Sequence, residues 1–328
     1  MARQAKSGSI PHELRAQGRL IATFERALDG GTRVASLEEG GGYRLRFTRP
    51  RSLPRTASVE RAGVGACEGA IINTGGGMAG GDRLSVAIET GQGADVMLST
   101  PAAERIYRST GPETEVGIDL RLGARARLCW MPQETILFSG AKLRRRLSVD
   151  MHESATLVAA ETVIFGRLAM GESPGKGLFV DRWRIRRCGR LVHAEETRLD
   201  GHIGRLLERP AIGDGARAIA TAIIVAPEVE DRLEAVRVGM RATLCEWGAS
   251  AWRGRLIARF LAKDPADLRG ALVCFLLVAT GGRLPRLWAA ADRDLPTSIG
   301  RGVDGSPVRM QDFSGDVWRE AEFEPNPT

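Results

Sequence analysis

Long hydrophobic runs are missing from this 328-residue chain. The longest, Ile219 to Ala226 and Leu272 to Ala279, fall far short of the ~20 residues a membrane helix requires. Ala2 to Gln17 is polar and broken by Gly8 and Pro11, unlike a signal peptide. A cytoplasmic protein with no membrane partner is the expectation. Cysteine is scarce and scattered. Cys67, Cys129, Cys188, Cys245 and Cys274 are odd in number and contain no Cys-x-x-Cys, which excludes a disulfide framework or a zinc knuckle. Cys129 and Cys274 sit in apolar runs and read as core residues.

The four histidines, His12, His152, His193 and His202, form no His-x-x-x-His or Glu-x-x-His pair, so no tight structural metal site is expected. No Gly-x-x-x-x-Gly-Lys-Ser/Thr loop occurs, so the chain does not hydrolyse nucleotides itself. No Gly-x-Ser-x-Gly elbow supports a serine hydrolase. Aromatic residues make up only 5%, two of them tyrosines, which leaves little for stacking bases or sugars. Lysine is nearly absent too. Only Lys6, Lys142, Lys176 and Lys263 contribute to the 47 basic residues, so the +7 net charge is carried by scattered arginine. The densest run, Lys142-Leu143-Arg144-Arg145-Arg146, reads as a solvated strand edge. A basic nucleic-acid-binding module is therefore an alternative to the main reading, with no nucleic-acid partner expected.

What is present is β pattern. Leu84, Val86 and Ile88 alternate with Ser85, Ala87 and Glu89; Val116, Ile118, Leu120 and Leu122 do so with Gly117, Asp119 and Arg121; Leu147, Val149 and Met151 repeat it. Three units of strand, small or polar turn and second strand follow, spanning Val86 to Pro101, Ile118 to Pro132 and Leu147 to Glu161. Pro101 and Pro132 close the first two 31 residues apart. Such a period points to stacked β layers, with an ordinary antiparallel meander as the alternative. The expected fold is mainly β: many strands in stacked sheets, β-helix-like or sandwich-like, with two helices in a small C-terminal α/β layer. The first helix is placed after Pro227, with Leu233, Val236 and Met240 at helical spacing. The second opens with Asp264 as N-cap and Pro265 at N1, and closes at Gly281-Gly282. Residues 1–17 read as a flexible leader and 18–290 as one domain, with the β body at about 18–204 and the α/β layer at about 205–290. Residues 291–328 read as a disordered tail, since from Asp292 onward eight acidic residues stand against four basic ones.

Three phrases carry more information than the bulk pattern. They are Asn73-Thr74-Gly75-Gly76-Gly77-Met78-Ala79-Gly80-Gly81-Asp82, Thr100 to Ser109 (TPAAERIYRS), and Trp130 to Ala141 (WMPQETILFSGA). The first reads as a tight turn needing positive φ and close backbone approach, or as a turn that aims Asp82 into an internal passage. Acids also stand in apolar β context. Glu161 lies between Leu157-Val158-Ala159-Ala160 and Thr162-Val163-Ile164-Phe165, where a charge needs a partner, water or a cation. Glu195 and Glu196 follow Leu191 to Ala194, and only one of them can face inward. A β-fold hydrolase using Glu161 and Glu195 as a carboxylate pair is the enzymatic alternative.

In this order and spacing the three phrases resemble the UreD (UreH) urease accessory protein family. So do Glu161 with Gly166-Arg167 and Gly171-Glu172, Glu195 to Leu199, and Leu284 to Trp288. The resemblance covers about Gly18 to Trp288. Thr74-Gly75 stands where family members usually carry paired prolines. The resemblance implies a β body with two helices and no catalysis. It implies a chaperone role in which the helical protein UreF and the GTPase UreG join this protein on apo-urease. Nickel (Ni2+) would be in transit through an internal tunnel, with no tightly bound cofactor. Asp82, Glu161 and Glu195 fall where the family's tunnel-lining acids lie. Glu104 falls at a polar tunnel position that is not usually acidic. Oxygen ligands hold nickel weakly, which suits a conduit.

Overall fold

The computed structural model describes residues 15–47, 66–167, 170–291, 298–301 and 307–309. Most of the expected leader and tail therefore lies outside the described residues. The exceptions include the paired strands Ser298–Arg301 and Pro307–Arg309.

The alternating segments form the strands their pattern demands. In chain order these are β1 (Gln17–Arg26), β2 (Thr32–Gly40), β3 (Tyr43–Phe47), β4 (Cys67–Asn73), β5 (Arg83–Thr90) and β6 (Asp95–Ser99). Then come β7 (Glu104–Ile106), β8 (Thr114–Leu122), β9 (Arg127–Trp130), β10 (Thr135–Leu137), β11 (Lys142–Met151) and β12 (Thr156–Phe165). The last of the body are β13 (Lys176–Arg187), β14 (Arg190–His202), β15 (Ala218–Val225), β16 (Glu246–Trp252) and β17 (Arg255–Ala262). One sheet has the order β14-β13-β11-β8-β5-β1-β2. The other runs β16-β17-β15-β12-β9-β6-β4-β3, with β7 and β10 attached beside β12.

Each strand–turn–strand unit crosses from the first sheet to the second: β5 to β6, β8 to β9, β11 to β12. Successive units then pair in parallel. Arg83 pairs with Glu115, 32 residues on, and Glu115 with Arg144, 29 further. In the other sheet Asp95 pairs with Arg127 and Arg127 with Thr156, the same two steps. The turns stack as well, Gly93 N–H donating to Ala124 O at 2.9 Å and Arg125 N–H to Ser154 Oγ at 3.0 Å. Parallel ladders of this kind exclude the meander and make the body a solenoid-like stack. Antiparallel strands close its flanks.

The α/β layer extends the second sheet through β15, β17 and β16 and covers its outer face with helices. Four helices are described: α1 (Ile203–Leu207), α2 (Leu233–Met240), α3 (Pro265–Thr280) and α4 (Arg286–Ala291). Two of them, α2 and α3, are the helices expected from the sequence, and α1 and α4 are short additions. Pro227 does not open α2. Glu228 adopts the left-handed conformation with φ 52° and a 3-10 turn, Val229–Arg232, intervenes. The α3 ends are as read, Asp264 accepting from Ala266 N–H at 2.8 Å and Gly281 taking φ 67°. Its apolar face packs on Ala218, Ala220 and Ala222 of β15, small residues that admit a helix closely. No helix among the described residues is long and apolar enough to cross a membrane.

Between the two sheets the interior is divided. One apolar cluster gathers Leu147, Val149, Trp183, Leu157 and Ile223; another gathers Leu143, Val163, Phe165, Phe179 and Leu199. Leu147 is wholly buried in the larger of these. Leu147→Ala is expected to lower unfolding free energy by about 2–5 kcal/mol, read as a shift in the urea midpoint.

Candidate functional site

Between the two apolar clusters, beside Leu84 and Val116 which pack against both, lies a layer of buried polar side chains one residue deep, and strand register explains it. Along β11 the inward positions are Leu143, Arg145, Leu147, Val149 and Met151, so Arg145 takes a place between leucines. Asp181 is its register partner on β13. Across the interior, Glu161 on β12 is in register with Thr221 on β15, and Thr221 with Arg259 on β17. Arg145 is therefore not a solvated edge residue as its run suggested. Its side chain is only 4% exposed, because Arg144 and Arg146 point outward and the alternation drives Arg145 in.

Arg145 joins both acids of the layer. Its Nε and Nη2 donate to Asp181 Oδ1 and Oδ2 at 3.1 and 2.6 Å, and its Nη1 donates to Glu161 Oε2. The indole N–H of Trp130 donates to Glu161 Oε1 at 2.8 Å, and that of Trp183 to Asp181 Oδ2 at 3.2 Å. Burial opposes the Arg145 charge, but Asp181 and Glu161 outweigh it and hold its pKa above the usual value. Burial raises the Glu161 carboxyl, and Arg145 and Trp130 offset only part of that rise.

Glu161 and Arg145 form part of the inner wall of a cavity of about 210 Å³ whose rim includes exposed Gly76, Pro101 and Ala102. Glu104 stands on the same wall. It accepts from Asn73 Nδ2 at 2.8 Å and from the Tyr43 hydroxyl at 3.4 Å. Burial raises its carboxyl above the ordinary 4.5, against those two hydrogen bonds. The three informative phrases meet here. Met78 N–H donates to Arg105 O, Tyr107 N–H to Met78 O, and β7 runs parallel to β10 with Thr135 opposite Glu104. Gly77 has φ 145°, and a Cβ there would lie 2.6 Å from the Tyr107 ring and 2.8 Å from Arg105 O. Only glycine lets the first phrase close onto the second. The third phrase hangs from the helical layer: Trp288 Nε1 donates to Met131 O at 2.9 Å, and Arg269 Nη1 to Gln133 and Glu134 at 2.8 and 2.6 Å.

The other two acids lie elsewhere. Asp82 is nearly buried but is no part of the cavity wall. Its carboxylate accepts the backbone N–H groups of Ala16 and Ala79 at 2.9 and 2.7 Å, so it clasps the glycine turn. Glu195 faces inward while Glu196 points out to Arg182. Glu195 borders a separate recess of about 350 Å³ at the surface, with Thr197, Thr221 and Arg259. Burial raises its carboxyl, but the neighbouring His193 ring and the donating Arg259 guanidinium more than compensate and lower it. Because Thr221 is both the register neighbour of Glu161 and a hydrogen-bond donor to Glu195 at 3.3 Å, polar side chains continue from cavity to recess. Glu161 and Glu195 do not flank one open groove, so they do not form a hydrolytic carboxylate pair. Among the described residues no three His, Cys, Asp or Glu side chains gather at one point.

A family model described as UreD urease accessory protein matches residues 16–289. The chain belongs to the UreD urease accessory protein family. Similar relatives include the urease accessory protein UreD of Methylobacterium sp. (strain 4-46), 47% identical over 285 residues, covering 85% of this chain and 97% of the relative. That of Rhodopseudomonas palustris (strain BisA53) is 47% identical over 274 residues, covering 84% and 91%. Urease accessory protein UreD 1 of Bradyrhizobium sp. (strain ORS 278) is 46% identical over 263 residues, covering 80% and 90%. Membership places the chain among accessory factors rather than catalysts.

Sequence reasoning missed Arg145, Asp181 and Thr221, which complete the layer. The signal for Arg145 was available: Leu143, Leu147 and Val149 fix the inward parity of its strand. Arg145→Met, which leaves two buried acids without their cation, is expected to destabilise by about 3–5 kcal/mol in urea denaturation. Adding Glu161→Gln and Asp181→Asn to it is expected to recover most of that loss. Glu104 makes a second case. Its raised pKa means the folded state holds the proton more tightly, so it contributes a loss of stability as pH climbs from 4.5 toward the folded-state value. Glu104→Gln is expected to remove that slope in midpoints measured across pH.

Proposed function

We propose that this family member scaffolds UreF and UreG on apo-urease and conducts Ni2+ through its interior toward the urease active site. The observation that supports the reading is the set of half-buried and buried acids, Glu104 and Glu161 on the cavity wall and Glu195 at a separate recess, with Thr221 in register with Glu161 and donating to Glu195. Glu104 and Glu161 offer carboxylate oxygens, which hold a divalent transition metal more loosely than imidazole or thiolate sets. Arg145 adds a fixed positive charge beside Glu161, which weakens cation binding further. Both features suit cargo that has to move on. Asp82 supports the route indirectly, as the clasp of the turn that forms one wall.

Glu161→Gln and Glu104→Gln, co-expressed with urease and the accessory proteins, are expected to lower the nickel content of purified urease severalfold. Co-purification of the complex is expected to persist. Full nickel content in both variants would refute conduction, and loss of the complex would point to scaffolding instead.

A further inference from the structure

We propose that His193 and Glu195 form a two-donor seat for a borderline divalent cation such as Ni2+ or Zn2+, where the polar layer reaches the recess. The seat rests on the conduction reading and adds a nitrogen donor to what is otherwise an oxygen-lined route.

The two residues stand at positions i and i+2 of β14, so both side chains face the same way. His193 Nε2 lies 3.4 Å from Glu195 Oε2, with side chains only 7% and 12% exposed. Nε2 is buried and makes no hydrogen bond that meets geometric limits, and 3.4 Å is long for one. As a pair of metal ligands the same spacing is apt. Two donors each about 2.1 Å from a metal subtend roughly 110° when 3.4 Å apart, near the tetrahedral angle and closing to octahedral cis with a shift of a few tenths of an ångström. Imidazole with carboxylate selects transition metals over calcium or magnesium.

The surroundings supply the rest. Thr221 Oγ1 donates to Glu195 Oε1 and fixes the carboxylate. The recess of about 350 Å³ is lined by Glu195, Thr221 and Arg259 but not by His193, so further ligands on the cation enter from the Glu195 side. Arg259 is the resident competitor. Its Nη2 donates to Glu195 Oε2 at 2.6 Å, yet its side chain is 61% exposed and reaches in from solvent. A cation arriving at Oε2 displaces this arginine outward rather than dislodging a buried group. With two protein donors the seat holds its cation more firmly than the oxygen-only cavity but less firmly than a closed structural site.

The test titrates NiCl2 into the full chain, purified with its co-expressed accessory partners, by calorimetry, with nickel X-ray absorption on the loaded sample. Wild type is expected to show a site with imidazole scattering. His193→Gln and Glu195→Gln are expected to weaken Ni2+ binding at least tenfold and remove that signature, while His152→Gln and His202→Gln leave both intact. Arg259→Gln is expected to tighten binding severalfold, a change of sign that a purely structural role would not produce. Unchanged affinity in His193→Gln and Glu195→Gln overturns the seat, as does weaker binding in Arg259→Gln. If His193→Gln does not fold, the other two variants decide. Nickel loading lost in Glu161→Gln beside unchanged Ni2+ affinity in His193→Gln overturns the seat and leaves conduction standing. The reverse pair of results overturns conduction alone.

Discussion

A guanidinium enclosed between two carboxylates organises the interior of this protein. Arg145 sits where its strand would ordinarily place a leucine, and it is tolerable there only because Asp181 comes from the neighbouring strand and Glu161 from the facing sheet. Two indole N–H groups, from Trp130 and Trp183, take further carboxylate lone pairs. Buried ion pairs of this kind are weak evidence for stability, since well-packed apolar residues would serve as well or better. What the triad does supply is register. A slip of one residue in β11, β12 or β13 would turn a charge into an apolar cluster or out to the surface, so it pins both sheets to one alignment.

The layer also sets what space is left. Apolar side chains fill the interior on either side of it, and the cavity lies against Arg145 and Glu161. The solenoid-like winding contributes the other walls. Because each unit crosses from one sheet to the other and the next stacks on it in parallel, the connections fall in register at the ends of the stack. The three phrases around Gly77, Glu104 and Trp130 are such connections, which is why segments far apart in the chain enclose one volume.

Much of this was legible beforehand, for physical reasons. Alternation reveals a half-buried strand without any tertiary knowledge, so β5, β8 and β11 could be read directly, and the spacing of Pro101 and Pro132 reported the winding. Glu161 stood out because a charge amid eight apolar or small neighbours needs explanation. Other features were hidden by local context. Arg145 was masked by the arginines on either side of it, whose side chains face the opposite way. For Asp82 the sequence left a tight turn and an internal passage open, and its carboxylate closes the turn by accepting the backbone N–H groups of Ala16 and Ala79. The closeness of His193 to Glu195 escaped because pairs were sought at helical spacing, whereas a strand brings i and i+2 together. The left-handed Glu228 that delays α2 is a backbone event with no distinctive residue to announce it.

The attachment of the third phrase to the helical layer has a mechanical meaning. Trp288 grips Met131 and Arg269 grips Gln133 and Glu134, while Trp130, Pro132 and Thr135 on the same ribbon form part of the chamber wall. That ribbon is suspended at two points from elements more than a hundred residues later in the chain. One anchor comes from α3 and the other from α4, so the helical layer holds in place the ribbon that closes one side of the chamber.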